Sequence, residues 1–123
     1  MKRLLLIFSL FLSLVVQGQR SIIHTDQVTV GHWSDSREDW NWDMPKYVLI
    51  NFILQNNTIL ADDVAQSTYK IFDQVVDTER LAMWDALDEN NDDCSIIINH
   101  DPPETISVMY DYIIYVYQIS YIE

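Results

Sequence analysis

The sequence predicts an all-β protein: a single small antiparallel meander that closes into a barrel or stacks as a sandwich. Three observations predict this class. Short apolar runs rich in β-branched and aromatic residues alternate with other residues, which suits strands on a half-buried pleated surface. Turns rich in Asn and Asp separate these runs at regular spacing. Consecutive short antiparallel strands most often close or stack, because this removes exposed strand edges.

The strands are predicted from these runs in chain order. Asn56-Asn57 separates the run YVLINFIL from TILA, and similar turns are expected at 89–92 and 101–104. Residues 105–119 would span about 50 Å as one straight strand, at about 3.3 Å per residue, so Asp111-Tyr112 is expected to break that run. The predicted strands lie near residues 27–34, 46–55, 58–61, 67–73, 80–87, 94–99, 105–110 and 113–119.

Residues 62–90 also fit helices. Val64, Thr68, Phe72 and Val76 recur at four-residue spacing, and the run RLAMWDAL is rich in helix formers. The alternative class is therefore α+β, with the helices in this segment. Strands are preferred because the flanking segments are hairpins, and because alternation in RLAMWDAL leads directly into an Asn-Asn turn.

The first 18 residues are predicted to be a secretory signal peptide, which leaves residues 19–123 as a single β domain. Lys2 and Arg3 precede an apolar stretch, and Val16 and Gly18 place small residues before the cut. The apolar stretch of about 13 residues is shorter than the roughly 20 that a spanning helix needs. We therefore expect export to a periplasm or the cell exterior, with no membrane span after signal removal. A retained membrane anchor is the alternative.

The charge of the exported chain excludes some partners. Loss of Lys2 and Arg3 leaves five of the seven basic residues against 19 acidic ones, a net charge of −14 over 105 residues. A surface this acidic repels phosphate backbones, so nucleic acid is not an expected partner. Cationic partners and divalent cations are favoured instead.

The segment HWSDSREDWNW at residues 32–42 carries three tryptophans among acidic residues. Trp40 and Trp42 are two residues apart, so in an extended segment their side chains face the same way. One interpretation is that tryptophans fill the core or plug the ends of a barrel, with Trp33 and Trp84 as candidates. The other is that Trp33, Trp40 and Trp42 form an aromatic platform that binds a ligand.

Asp88, Asn90 and Asp92 have the 1-3-5 spacing of a calcium loop, and they are the calcium candidate of the chain. The pattern then fails, because position 6 is Asp93 rather than glycine and position 12 is Asn99 rather than glutamate. A solvated acidic hairpin turn without a specific metal site is therefore expected.

The other reactive residues form no catalytic pattern. His24, His32 and His100 lack metal-ligand spacing and are expected on the surface, His24 in a frayed N-terminal segment. Cys94 is expected to be a buried, inert thiol, with an intermolecular disulfide as the alternative. No serine or threonine lies in a nucleophile elbow. We expect neither an enzyme nor a cofactor; a hydrolase with paired carboxylates is the outsider.

Two short patterns resemble known families. A W-x-A-x-D hairpin from Trp84 to Asp88, with a downstream Cys94 and a C-terminal Y-x-Y strand, resembles small exported bacterial β-proteins of unknown function. This resemblance implies an exported β fold and brings no activity or cofactor. The tripeptide Gly31-His32-Trp33 resembles the Gly-x-Trp opening of lipocalins.

The functional expectation is a non-enzymatic exported binding module. Its Trp- and Tyr-lined face or pocket would bind a small ligand or a partner protein. The alternative is a structural or interaction protein of the bacterial envelope, in which aromatic residues form a sheet-to-partner surface.

Overall fold

The computed structural model describes residues 20–63 and 66–123, and every regular element among them is a β-strand. The all-β prediction is confirmed, while the predicted signal peptide lies outside the described residues. Within the described part of the chain, no helix is long and apolar enough to cross a membrane. The strands are β1 (Ser21–Ser34), β2 (Asp39–Trp42), β3 (Lys46–Gln55), β4 (Thr58–Ala61), β5 (Thr68–Asp77), β6 (Leu81–Leu87), β7 (Asp93–Asn99), β8 (Thr105–Met109) and β9 (Ile113–Ile122).

The strands form a closed barrel. Each of β3 to β8 pairs antiparallel with the next strand in the chain, and β1 pairs with both β3 and β9. Eight strands therefore close on themselves, and β2 is an additional short strand on β1. A closed meander satisfies the backbone hydrogen bonds of both edges along most of its strands.

The strand β2 continues the line of β3. β9 occupies one edge of β1 from Ile23 to His32. The other edge of β1 pairs with β3 at residues 21–28 and with β2 at residues 31–34. The two strands therefore follow each other along the same edge of β1, interrupted at Met44 and Pro45. Together with β1 they form one long hairpin, whose turn lies at residues 35–38.

Alternate side chains fill the barrel interior. Trp84 is only 7 % exposed, and Ala82 and Ala86 lie two residues away on the same face, which leaves room for the indole. Phe52 packs edge-to-face on Tyr117, with ring centroids 4.9 Å apart. The buried core comprises Ile23, Ile50, Phe52, Leu54, Ile59, Ala61, Tyr69, Ala82, Trp84, Ala86, Cys94, Ile96, Ile98, Ile106 and Val108. The prediction that Trp84 fills the barrel is confirmed.

Asparagine makes the β3–β4 and β6–β7 turns, as the sequence predicts, whereas Glu38 and Gln66 take the left-handed conformation elsewhere. Asn56 and Asn57 connect β3 to β4 with φ of 53° and 60°, and Asn91 has φ of 63° between β6 and β7. Asparagine enters this left-handed region more readily than most residues do. The predicted break at Asp111-Tyr112 is also present, between β8 and β9.

Three expectations about the elements are wrong. The helical alternative for residues 62–90 fails, because the described residues there form β5, β6 and turns; residues 64 and 65 lie outside them. The four-residue spacing is fortuitous, since Phe72 is 60 % exposed instead of facing a core. The strand β2 was not predicted. His24 is not frayed: it lies in β1, which begins at Ser21, between β3 and β9.

Candidate functional site

Three tryptophans gather at the long hairpin of β1 and β2. Trp33 lies directly opposite Trp40 in the β1–β2 register, and their rings meet edge-to-face with centroids 5.3 Å apart. Trp40 and Trp42 are tilted by 39° with centroids 6.3 Å apart. Cross-strand partners and residues two apart share a face of a sheet, so all three indoles lie on one side of the hairpin. The structure therefore brings the three predicted residues together.

Gly31 allows Trp42 to lie flat against the sheet. It pairs with Trp42 on one side and with Ile114 on the other. A Cβ atom added at this glycine would lie 2.9 Å from Trp42 Cζ3 and 2.8 Å from Ile114 Cγ2. The indole therefore occupies the space that any larger side chain would fill. The absence of a side chain at Gly31 therefore leaves the space that the Trp42 ring occupies.

The tryptophans lie on the outside of the barrel. Tyr117 packs against the core, and Ile114 lies three residues before it on β9, so Ile114 points outward. Ile114 is nonetheless buried, because the ring of Trp42 covers this region. Trp33 shares the outward face, so the interpretation of Trp33 as a plug of the barrel end is wrong. The register of β1 places Trp33 two residues from Gly31, on the same outer side.

Exposed apolar side chains continue from the tryptophans along β3. Trp42 is 52 % exposed, Tyr47 is 79 % exposed and Leu49 is 72 % exposed. Val48 and Ile50 alternate with these residues and point to the interior. We call the outward side chains of Trp33, Trp40, Trp42, Tyr47 and Leu49 the aromatic face. It combines aromatic and aliphatic surface that the barrel core does not use.

Acidic groups surround the aromatic face. Trp33 Nε1–H donates to Asp35 Oδ1 at 3.0 Å, and the Trp40 N–H donates to Asp39 Oδ1 at 2.7 Å. Asp43 Oδ2 lies 3.1 Å from His32 Nε2. These carboxylates hold parts of the hairpin in place and give its surroundings a negative potential.

The calcium candidate is a closed turn in which Asp88 points inward. Asp88 is 9 % exposed, and its Oδ1 accepts hydrogen bonds from the N–H groups of Asn90 and Asp92, both at 2.9 Å. Its Oδ2 accepts a hydrogen bond from the Tyr110 hydroxyl, also at 2.9 Å. Its oxygens are therefore committed to the fold. Among the described residues, no group of three His, Cys, Asp or Glu side chains is placed to hold a metal ion.

The hydrogen bonds to Asp88 lower the pKa of its carboxyl group. Burial acts to raise the pKa of Asp88, but hydrogen bonds from the Asp92 N–H, the Tyr110 hydroxyl and the Asn90 N–H together hold it below its ordinary value. Burial, with the hydrogen bond to Asp88, raises the pKa of Tyr110. Tyr110 therefore stays a neutral donor to a charged acceptor, a pairing that sequence spacing did not reveal.

Cys94 is buried, as predicted. Burial and the neighbouring Asp88 carboxylate raise the pKa of its thiol to about 11. A thiol with so little thiolate at neutral pH is a poor nucleophile. The geometry thus fits an inert core cysteine.

The histidines are dispersed over the barrel. His32 is exposed, as predicted. The surface expectation is wrong for the other two, because the side chain of His24 is 19 % exposed and that of His100 is 12 % exposed. Each lies beside a carboxylate: His24 is 3.1 Å from Glu123, and His100 is 3.2 Å from Glu104.

No family model matches the chain, and no curated protein and no solved structure is significantly similar to it. The resemblances to exported bacterial β-proteins and to lipocalins therefore stay predictions.

Proposed function

We propose that this protein is an exported binding module that uses its aromatic face to bind a partner protein. One observation carries the proposal. Three indoles share the outer face of a hairpin, and exposed Tyr47 and Leu49 extend that surface along β3. Exposed apolar surface gathered on one face of a domain commonly marks an interaction site. Tryptophan and tyrosine are also enriched among the residues that dominate binding energy.

The packed interior supports a partner on the outside in preference to a small ligand inside. Phe52, Trp84 and Ile96 belong to one cluster of buried side chains that occupies the middle of the barrel. A ligand at that position would have to displace these side chains, and protein interiors are too closely packed to accept that cheaply. The aromatic face needs no such rearrangement, because Trp42, Tyr47 and Leu49 are already exposed and Trp33 and Trp40 are partly so.

Export is part of the proposal. The sequence of residues 1–18 supports it, and a mature chain that begins at Gln19 or Arg20 is expected. Intact-mass measurement of the exported protein tests this directly. A mass that includes residues 1–18 would contradict the proposed export and cleavage.

The binding proposal is tested with an affinity comparison. The wild-type protein is used to capture partners from an envelope extract of the producing cell, and a captured partner is then purified and titrated. The double variant Trp40→Ala/Trp42→Ala should bind it at least about tenfold more weakly, a loss of about 1.4 kcal/mol. The control is Phe72→Ala, an exposed aromatic residue on β5, which does not pair with β1, β2 or β3. The double variant and Phe72→Ala binding with equal affinity would exclude the aromatic face.

A further inference from the structure

The long hairpin leaves one strand edge without a partner. Among the described residues, β2 pairs with β1 alone. Residues 46–50 of β3 also pair only with β1, because β4 covers β3 from Phe52 to Gln55. The Asp62 N–H donates to the Asn51 carbonyl at 2.8 Å, which marks where pairing on that side begins. The stretch from residue 39 to residue 50 therefore has an open edge, as does the part of β5 after Ile71, which in the described part of the chain pairs with β6 alone.

The backbone groups on this open edge can be assigned from the hydrogen bonds nearby. In an antiparallel ladder, alternate residues direct both their N–H and their C=O to the same neighbour. The Asp43 N–H donates to the Val30 carbonyl of β1 at 2.8 Å, so Asn41 faces β1 while Trp40 and Trp42 face away. The Asn51 carbonyl faces the β4 side. The register of β1 and β3 shifts between Thr25 and Gln27, but side chains alternate regularly along β3, so Leu49 and Tyr47 face the open edge.

The same residues present both their backbone and their side chains. Trp40, Trp42, Tyr47 and Leu49 belong to the aromatic face, and their backbone groups point along the sheet to the open edge. The exception in availability is the Trp40 N–H, which already donates to Asp39 Oδ1. An extended peptide that pairs there would form main-chain hydrogen bonds. Every second side chain of that peptide would lie beside the indoles. This is the arrangement by which strand addition combines main-chain affinity with side-chain selectivity.

The charge around the open edge favours a basic partner segment. Asp35, Glu38, Asp39 and Asp43 are all exposed in or beside β2, against Arg37 and Lys46. A second copy of the chain would bring the same acidic edge and a net charge of −12 over the full sequence, or −14 without residues 1–18, so edge-to-edge pairing is opposed by like-charge repulsion. Pro45 and the acidic residues are also devices by which natural edges resist self-association. A segment rich in Lys or Arg would instead be attracted to these carboxylates.

We propose that the open edge of β2 and β3 accepts an extended basic segment of a partner protein as an additional antiparallel strand. This rests on the proposed function and specifies its partner: alternating basic and apolar residues in an extended conformation. The apolar side chains lie on the aromatic face, and the basic ones face Asp39 and Asp43.

The test uses capped synthetic peptides of about eight residues, within the usual length of a strand. The first alternates lysine with valine. The second has glutamate in place of lysine, and the third is the lysine peptide N-methylated at alternate residues along one edge. Binding is measured by tryptophan fluorescence, and amide hydrogen exchange is followed residue by residue. Asn41 and Asp43 are internal controls, because their N–H groups face β1 and should exchange at the same rate with and without peptide.

The lysine peptide should bind and slow the exchange of the Trp42 and Leu49 amides. The glutamate and N-methylated peptides should each bind at least about tenfold more weakly. Fluorescence quenching by the lysine peptide without amide protection, and with equal affinity for the N-methylated peptide, would overturn strand addition while leaving the proposed aromatic-face function intact. Failure of the lysine peptide to bind at millimolar concentration would also overturn it, independently of the capture experiment. Protected edge amides and a dimer without any peptide would assign the edge to a second copy.

Discussion

The strands β6 to β8 and the hairpin of β1, β2 and β3 use the same alternation for opposite purposes. In the first region the inward side chains are buried, as Trp84 opposite Ile96 shows, and the outward ones on β6 and β7, such as Asp85, Met83 and Ile97, are half-buried. In the second, Val48 points inward while Tyr47 and Leu49 point outward and stay exposed. An antiparallel strand with one solvated face needs apolar residues on one side only. Outward apolar residues that also stay exposed therefore exceed what folding requires, and they identify the region where function should be sought.

The largest expected effect is at Trp84, on the inside. Trp84→Ala removes a ring that is only 7 % exposed, and it should lower the free energy of unfolding by about 3–5 kcal/mol. A domain of this size has about 5–15 kcal/mol in total. Urea unfolding followed by circular dichroism measures the loss. A loss below about 1 kcal/mol would break the comparison, because Trp84 would then behave as a surface residue.

The next effect concerns the charged acceptor at the end of β6. The folded pKa of Asp88 lies below the unfolded value of about 3.9. Its carboxylate therefore stabilises the fold above that unfolded pKa, and this contribution is lost as the pH falls through the folded pKa. Asp88→Asn should cost about 1–3 kcal/mol at neutral pH.

The pH series checks this assignment. The difference in unfolding free energy between the wild type and Asp88→Asn should shrink as the pH falls from 7 towards about 2. The control is Asp111→Asn, at an exposed carboxyl in the turn between β8 and β9. If the difference in unfolding free energy does not change with pH, then Asp88 stabilises the fold through packing and neutral hydrogen bonds and not through its charge.

A smaller effect is expected at Gly31, which the Trp42 ring contacts. Gly31→Ala would place a methyl group 2.9 Å from Trp42 Cζ3 and 2.8 Å from Ile114 Cγ2. The indole is exposed enough to move away, so the cost should be about 1 kcal/mol, at the low end for overpacking. Near-ultraviolet circular dichroism should report altered packing of the tryptophans. An unchanged spectrum would argue against a ring seated on the glycine.

The smallest effect is expected on the outside. Trp42→Ala should change the free energy of unfolding by about 1 kcal/mol or less, because the ring is already half exposed. Under the proposed function it should still weaken partner binding. A loss of stability equal to that of Trp84→Ala would show that the hairpin is an extension of the core. The aromatic-face proposal should then be dropped.

Much of the barrel could be predicted because local signals agree with the global fold. Seven of the eight predicted strands match observed ones within about two residues at their start, as the usual boundary error allows. Asn56-Asn57 and Asn91 made the hairpins visible, since few residues other than asparagine enter the left-handed region. The start of β1 was missed because Ser21 to Asp26 mixes polar and apolar residues on a strand that is flanked on both sides.

The site could be predicted only in part. The two-residue spacing of Trp40 and Trp42 indicated a shared face, and the structure confirms it. That the face is the outer one depends on register across β1 and β9, which is a long-range property. The same holds for the bond between Tyr110 and Asp88, which joins residues 22 apart in the chain. Gly31 was the available signal for β2. Glycine within a strand often marks a place where another group approaches closely, and the polar residues 34–39 that follow fit the turn of a hairpin.

The closing pair of strands has a consequence for the speed of folding. Ser21 Oγ–H donates to the carbonyl of Glu123, a partner 102 residues away, and the Glu123 N–H donates to the Ile22 carbonyl at 2.8 Å. Every other seam of the barrel joins strands that are neighbours in the chain or, for β1 and β3, are separated by β2 alone. The seam of β1 and β9 instead joins the first and last strands. Contact order is therefore dominated by one seam, and folding rates fall as contact order rises. A circular permutant that links residue 123 to residue 21 and opens the turn at 35–38 would make this seam local. The pairing of β1 with β2 and β3 would then join the two chain ends, so the aromatic hairpin should become the last part of the barrel to form.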